Sequence, residues 1–567
     1  MSRKFLSSKY LSPNNLKNYF LDDPLLDYLK FFNITSLNQT PIEKTSRKRS
    51  SYTKEENSNS NLFSQFIINQ GNNFEKEIIE KIKNKYPNDF IEISSSYTRN
   101  REYFQQTLNA IKNKIPIIYQ GVLINDKNLT FGCPDLIIRN DFLLKLFPNL
   151  NLINNNLYSI VDIKFHKLHL NSDGKTLRNE GLMSFYKGQL LLYLQALNEI
   201  QSNISNQAFI LGNGFHYQKN KDIFESEEPF DKLGIIDYQS KDNFIFQKLN
   251  DGINWLRRLH DEGKNWKLLP EPSIPELYPN MCNKYDGYFH ELKIDYAERL
   301  KELTLIWNVG VKNRNIGFSN KIHHYDDKNF DATLLGFPDK KRARVINQIQ
   351  KVNVSDELIL PKKIINNLYN WKEELIECYI DFETINKIDK SIPNNGYIFM
   401  IGLGYKINDK WEFKNYYLKE LNDESEYEML NQFYQDYLLL GKNIRAFHWS
   451  HAEITFWEKA LQKHNLDLSI NFVDLLKIFL EEPISVKGSF NYSLKSIGNA
   501  LYQNKLIDIH WNDNNPCCNG LTAMIMAFKQ YQLKKIDETV FDMIKDYNEI
   551  DCLMMYKIIN LLRTKYI

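Results

Sequence analysis

Asp381-Phe382-Glu383 closes a short apolar run, Leu375-Ile376-Glu377-Cys378-Tyr379-Ile380. Side chains on a strand alternate with period two, so Asp381 and Glu383 leave one face while Phe382 points into a core. Tyr547 and Asp551 stand four apart in a helical stretch and also share a face. Carboxylates gathered in this way repel one another at low dielectric unless cations join them. Two Mg²⁺ or Mn²⁺ ions about 4 Å apart would relieve that repulsion and clamp the oxygens of a phosphodiester under attack. Tyr547 is placed to orient the attacking water. The fourth acid should come from the middle of the segment: Glu453 is the first choice and Asp474 the second. Taken singly, these residues are ordinary: Asp-x-Glu is frequent at strand ends, Tyr547 suits a core and Asp551 a helix surface.

A second set lies upstream. Asp135 follows Gly132-Cys133-Pro134, and Asp162-Ile163-Lys164 comes 27 residues on. Val161 and Ile163 are expected to face the core, and Asp162 and Lys164 a cleft. Paired carboxylates are hard oxygen ligands for Mg²⁺ or Mn²⁺, and a nearby lysine can stabilise a crowded, highly charged phosphate. Glu75 would add a ligand or acceptor from a helix. Gln189 and Tyr193, four apart on a later helix, would touch the phosphate or hold Lys164. Asp-x-Lys alone is common on strands, and Gln189 with Tyr193 is more often packing than chemistry.

The order of these motifs resembles the RecB-like branch of the PD-(D/E)xK nucleases, which includes the Cas4-like exonucleases. The matching residues are Gly71 to Glu75, Gly132-Cys133-Pro134-Asp135, Asp162-Ile163-Lys164 and Gln189-Leu190-Leu191-Leu192-Tyr193, over roughly 60–215. The resemblance implies metal-dependent cleavage of DNA, with catalytic Glu75, Asp135, Asp162, Lys164, Gln189 and Tyr193. Many relatives carry a histidine in the first motif, where this chain offers Glu75. Many also hold an Fe–S cluster. Here Asp22-Asp23-Pro24 stands where their cysteine ligation begins, and no later cysteine group follows, so no Fe–S cluster is expected.

The downstream set resembles the DEDD 3′–5′ exonucleases of the ribonuclease H-like fold, in their Tyr-x-x-x-Asp class. It is more similar still to the YprB-type ribonuclease H-like domain found attached to RecB-like nucleases. The likeness runs through His448-Trp449-Ser450-His451-Ala452-Glu453, Val473-Asp474-Leu475, Tyr492-Ser493-Leu494-Lys495 and Tyr547-Asn548-x-x-Asp551-Cys552, over about 375–565. It implies metal ligation by Asp381, Glu383, Glu453 and Asp551, with Tyr547 in the catalytic set. In that family a glutamate follows the histidine–aromatic pair, which puts Glu453 ahead of Asp474.

The elements that must position these residues are legible in part. Ser12-Pro13 predicts a helix start, with helices to about Tyr19 and over 22–31. Residues 34–60 read as a polar, mobile linker. Its basic group, Lys44, Arg47, Lys48, Arg49 and Lys54, could touch phosphates. Strands are predicted at Phe90–Ser94, Ile117–Ile124, Thr130–Ile138, Tyr158–Phe165 and Gln207–Leu211, with helices over Met183–Glu199 and 244–261. Val122–Ile124 and Leu136–Ile138 would form a hairpin. Further on, strands are predicted at 375–382, 397–405, 411–418, near Ala446 and near Phe472. Helices follow at 423–440, 451–464, 520–532 and 537–562. The expected fold is an α/β multidomain chain: a restriction-endonuclease-like core, a helical connector, and a ribonuclease H-like α/β domain. The boundaries are 1–60 for N-terminal helices and linker, 61–262 for the first nuclease domain, 263–371 for the connector and 372–567 for the exonuclease domain.

Composition narrows the class. A chain of 567 residues is too long for one core. Apolar residues make up 43% and aromatics 13%, enough for packed interiors. The 72 basic against 70 acidic residues give a net charge of +2, which leaves nucleic-acid binding to local patches. Six cysteines form no C-x-x-C pair, against a disulfide framework or structural zinc. No G-x-G-x-x-G follows a strand, against a dinucleotide fold. No apolar run reaches a membrane span of about 18 residues. The expectation is an intracellular protein of cytoplasm, nucleus or viral replication compartment, with Ser46-Arg47-Lys48-Arg49-Ser50 either a nuclear address or a solvated turn. The expected partner is nucleic acid, DNA ahead of RNA, in exonucleolytic end processing during repair, recombination or replication. No G-x-x-x-x-G-K-[ST] motif is present, so any unwinding falls to a separate helicase or replication protein. The alternatives are one active module beside a nucleic-acid clamp, or a non-catalytic scaffold.

Overall fold

The computed structural model describes residues 6–37, 39, 58–93, 99–152, 156–201, 204–386, 392–393, 395–533 and 536–567. The basic group of the expected linker, Lys44 to Lys54, lies outside the described residues. The chain divides into two compact units, residues 1–54 with 64–296, and residues 55–63 with 297–567. The stretch expected to be a connector is shared between them. Among the described residues no helix is long and apolar enough to cross a membrane.

The first unit begins with α1 (Pro13–Phe20) and α2 (Leu25–Phe31), followed by the long helix α3 (Ser58–Lys85). Then come β1 (Phe90–Glu92), α4 (Arg101–Lys112), β2 (Ile117–Tyr119), β3 (Leu123–Asn125), β4 (Thr130–Gly132), β5 (Leu136–Arg139) and α5 (Asn140–Leu146). The unit continues with β6 (Tyr158–Ile163), β7 (Leu168–His169), α6 (Met183–Asn198), β8 (Gln207–Leu211), β9 (Phe215–Lys219), β10 (Asp222–Ser226), β11 (Gly234–Asp237) and α7 (Phe244–Glu262). Its six-stranded mixed sheet has the order β1-β2-β5-β6-β8-β11. Period-two alternation sends Ile118, Ile137, Ile160 and Ile210 into the core that holds α6. Ile117, Leu136, Val161 and Phe209 enter the opposite core, with Phe74 and Ile78 of α3.

The expected hairpin of Val122–Ile124 with Leu136–Ile138 is not formed. Leu123 pairs with Gly132, while Leu136–Ile138 pair with Ile117–Tyr119. The apolar run breaks because Gln120 takes φ 50°, and a Cβ on the next residue, Gly121, would meet Ile137 Cδ1 at 2.8 Å. One strand thus becomes two, in different sheets.

Lys293 closes this unit from its far end. Its fully buried ammonium donates to Asp23 Oδ2 at 3.0 Å and to the main-chain oxygens of Asn280 and Asn283 at 3.0 and 3.1 Å. Asp286 adds a second carboxylate at 2.6 Å. A buried ammonium is tolerated only when it is paired and hydrogen-bonded in this way.

The second unit receives α8 (His290–Arg299), which spans the division, then α9 (Val311–Ser319), α10 (Lys340–Val354) and β12 (Ile359–Leu360). Its main sheet begins with β13 (Glu377–Ile385), β14 (Tyr397–Ile407) and β15 (Lys410–Tyr417). The chain goes on through α11 (Asp423–Leu439), β16 (Arg445–His448), α12 (Ala452–His464), β17 (Phe472–Asp474), α13 (Leu475–Glu481), β18 (Ser485–Val486), α14 (Leu494–Gln503), α15 (Gly520–Tyr531) and α16 (Glu538–Lys565). The five-stranded order is β15-β14-β13-β16-β17. The first three strands are antiparallel neighbours, and β16 and β17 run parallel to β13.

Strand chemistry matches these places. β14 is nearly all apolar and buried through Tyr405, as a strand covered on both faces must be. β15 alternates exposed and half-buried residues, as an edge strand does. Helix α16 lies on β13 and β14. Gly402 and Gly404 admit it: added Cβ atoms there would stand 2.0 Å from Asn548 Oδ1 and 3.2 Å from Cys552 Cβ.

Candidate metal centre

The position of α16 is fixed by a buried ion cluster. Arg563 grips Glu377 with two nitrogens, at 2.9 and 2.7 Å, and Arg445 joins the same carboxylate. Such fork-on-fork pairing sets direction as well as distance. From Arg563 back to Asp551 is twelve residues, or about 18 Å of helix. From Glu377 forward to Glu383 is six residues, or about 20 Å of strand. Helix and strand therefore bring Asp551 level with Asp381 and Glu383.

These three acids converge. Their ligand oxygens lie within 4.8 Å of one another, the one such group of three among the described His, Cys, Asp and Glu residues. Glu383 and Asp551 are buried, and Asp381 is half-buried. Phe382 packs on the opposite face, against Phe433 and Trp457. A register shift between Glu383 and Thr384 interrupts the pairing with β14, an irregularity that re-aims side chains. Helix α15 starts beside the cluster, where a Cβ on Gly520 would lie 3.5 Å from Glu383 Oε2.

Several side chains hold the acids. Asn548 donates to Asp381 Oδ2, and Trp511 Nε1 donates to Asp551 Oδ1 at 2.9 Å. The Tyr547 hydroxyl bonds Asp551, one helical turn away. Burial raises the pKa of Asp551 to about 7, against the Trp511 and Tyr547 hydrogen bonds, which favour its charge. Burial, then Asp551, Glu383 and Glu453, push Asp381 well above the carboxylate range. Burial, then Asp551 and Glu453, do the same to Glu383. Such a set is electrostatically unbalanced without positive charge. Its all-oxygen donor chemistry fits Mg²⁺ or Mn²⁺.

Glu453 stands outside the group of three. Its Oε2 faces His448 Nδ1 at 3.2 Å, and its charge is felt by both strand acids. Asp474 is engaged elsewhere: its Oδ1 accepts the main-chain N–H groups of Ser450 and Lys477, each at 3.2 Å, capping α13. That occupation is a structural duty for Asp474 and leaves Glu453 as the nearer fourth acid.

In the first unit, Asp162 leaves β6 on the α6 side and is buried. It pairs with Lys164 at 2.5 Å. Burial opposes the charge of Lys164, but Asp162 and Asp135 outweigh it and raise the lysine's pKa. Asp135 Oδ2 accepts the Ile163 N–H at 2.6 Å. Burial, Asp162 and, more weakly, Glu75 raise Asp135 well above its usual range, against the pull of Lys164. Glu75 Oε1 accepts from Tyr119 at 2.9 Å. Gln189 donates to Tyr193, whose ring occupies the space a Cβ on Gly132 would fill. The expected contact of Gln189 or Tyr193 with Lys164 is not made. Lys164 lies over the ring of Tyr186 instead, 5.3 Å from its centroid. Tyr186, Trp511 and the role of Asn548 escaped the sequence reading. Asn548 was within reach, three residues before Asp551 and so on the same helix face.

Residues 378–563 match the family model described as RNase_H superfamily. That stretch has a ribonuclease H-like fold, and it contains Asp381, Glu383, Glu453 and Asp551. Among curated proteins no sequence matches the chain.

Proposed function

We propose that the chain is a divalent-metal-dependent nuclease whose active module is the ribonuclease H-like stretch. The observation that carries this is the convergence within 4.8 Å of Asp381 and Glu383 from β13 with Asp551 from α16, inside the stretch that matches that family. Bound Mg²⁺ or Mn²⁺ would offset charge at the scissile phosphate and acidify the attacking water. Asp381, Glu383 and Asp551 would hold the ions, with Glu453 beside them on His448. Asn548 and Trp511 orient the carboxylates. The Tyr547 hydroxyl, held by Asp551, would orient the attacking water. The Tyr-x-x-x-Asp spacing supports removal of nucleotides from a 3′ end. DNA rather than RNA is supported by the upstream resemblance to RecB-like nucleases. The decisive experiment is digestion of end-labelled single- and double-stranded DNA and RNA with Mn²⁺, comparing wild type with Asp381→Asn. Unchanged cleavage in the variant would sink this assignment.

Under this reading the first unit binds nucleic acid without cutting it. A second reading makes it a cutting module of the PD-(D/E)xK kind. The support is the Asp162–Lys164 pair with Asp135 one main-chain bond away, in the motif order of that family. Against it, Glu75, Asp135 and Asp162 do not gather as closely as the downstream acids. Cleavage surviving Asp381→Asn but lost in Asp162→Asn would favour the second reading.

A further inference from the structure

We propose that a cavity beside Asp551 receives the nucleoside monophosphate released from a nucleic-acid end, with Lys495 as its phosphate-binding cation. This rests on reading the second unit as a nuclease and names the product that the module holds.

The cavity measures about 350 Å³, inside the range of roughly 300–1,000 Å³ that small-ligand sites occupy. Trp511 and Tyr547 line it, and these same two side chains hold Asp551. An occupant is therefore one side chain away from the acid cluster. Lys495 lines the cavity from the opening turn of α14. The ammonium donates to Cys518 O at 2.7 Å. A lysine has three donors, so two remain for a phosphate.

The lining is electrically lopsided. Lys495 lies by Trp511, 5.9 Å from its ring, whereas Asp513, Asp546 and Glu549 supply carboxylates to the same cavity. A phosphate is favoured only near Lys495. The acids suit the hydroxyl and amino donors of a sugar and base. A nucleoside monophosphate has this polarity, and a bare phosphate does not. The reaction supplies it: water oxygen bonds to phosphorus, the bond from phosphorus to the 3′ oxygen of the shortened strand breaks, and that oxygen takes a proton. The phosphate stays on the departing nucleotide.

The test uses the full chain with saturating Mn²⁺, titrated calorimetrically with AMP, dAMP and inorganic phosphate. Wild type should bind a nucleoside monophosphate more tightly than phosphate. Lys495→Gln should weaken nucleotide binding about tenfold or more at unchanged Mn²⁺ affinity, and Lys495→Arg should keep most of it. No nucleotide binding by wild type, equal binding by Lys495→Gln, or phosphate binding as tightly as nucleotide would each overturn the assignment. Lys495-dependent nucleotide binding in a protein that cleaves no nucleic acid would uphold the cavity and refute the nuclease reading.

Discussion

Asn548 donates one side-chain nitrogen to two oxygens of Asp381, the main-chain oxygen at 3.2 Å and Oδ2 at 2.7 Å. Strand and helix are thereby joined at the acid that opens the cluster. The amide's own oxygen is buried with no hydrogen-bond partner, facing the bare backbone of Gly402. Asn548→Ala should free Asp381 and lower Mn²⁺ affinity by about 10–100-fold, the usual cost of losing a group that orients a ligand. Calorimetric Mn²⁺ titration checks this. Gly402→Ala should be worse, because its Cβ needs the space of Asn548, and it should lower the melting temperature as well.

The two acid sets make opposite predictions. Asp381→Asn should remove Mn²⁺ binding at the downstream cluster and at least 100-fold of cleavage. It should also stabilise the metal-free protein, since it deletes one of three crowded carboxylates. Asp162→Asn should leave cleavage within a few-fold of wild type. Side-by-side assays of end-labelled DNA, with melting curves as control, decide the matter.

Trp511→Phe keeps an aromatic ring and removes the N–H that Asp551 uses. Mn²⁺ affinity should fall about tenfold. The fall should exceed any produced by Trp457→Phe, a tryptophan packed on the far side of β13 against Phe382. Equal effects would reduce Trp511 to packing.

Asp27, held by Asn18 and Trp255 and by no member of either acid set, offers a separate pH test. Burial raises its pKa to about 7, although Asn18 and Trp255 both donate to its carboxylate. The folded state thus keeps a proton that the unfolded chain loses near pH 4. Its contribution to stability is full below about pH 4 and is lost as pH rises to about 7. The loss is at most about 4 kcal/mol, at ~1.4 kcal/mol per pKa unit. Asp27→Asn should flatten the melting temperature between pH 4 and 7 and raise it at pH 7. Asn18 can rotate its amide to meet the new side chain. A pH curve parallel to wild type would show that Asp27 is ionised throughout.

The second unit was the more legible in sequence. Its apolar β14 and alternating β15 declare their strands, and period two places Asp381 with Glu383. What the sequence hid there depends on long-range placement. Trp511 sits forty residues from Asp551, and Gly402 matters only because α16 crosses β14. In the first unit, single positions misled: Gln120 with positive φ split one apolar run into two strands. Hairpin β9–β10 went unseen because its exposed residues have no buried face to mark a period. The RecB-like resemblance of the first unit rests on motif order alone.

The ion cluster on Lys293 has a consequence for biosynthesis. Asp23 emerges from the ribosome 270 residues before the lysine that neutralises it. Until then the segment after α1 must stay hydrated, because burying an unpaired carboxylate is costly. Domains commonly fold in order of emergence, yet here the first helices should wait for the last residues of their own unit. Nascent chains stalled before residue 293 should leave α2 open to protease, and those stalled well beyond it should protect it.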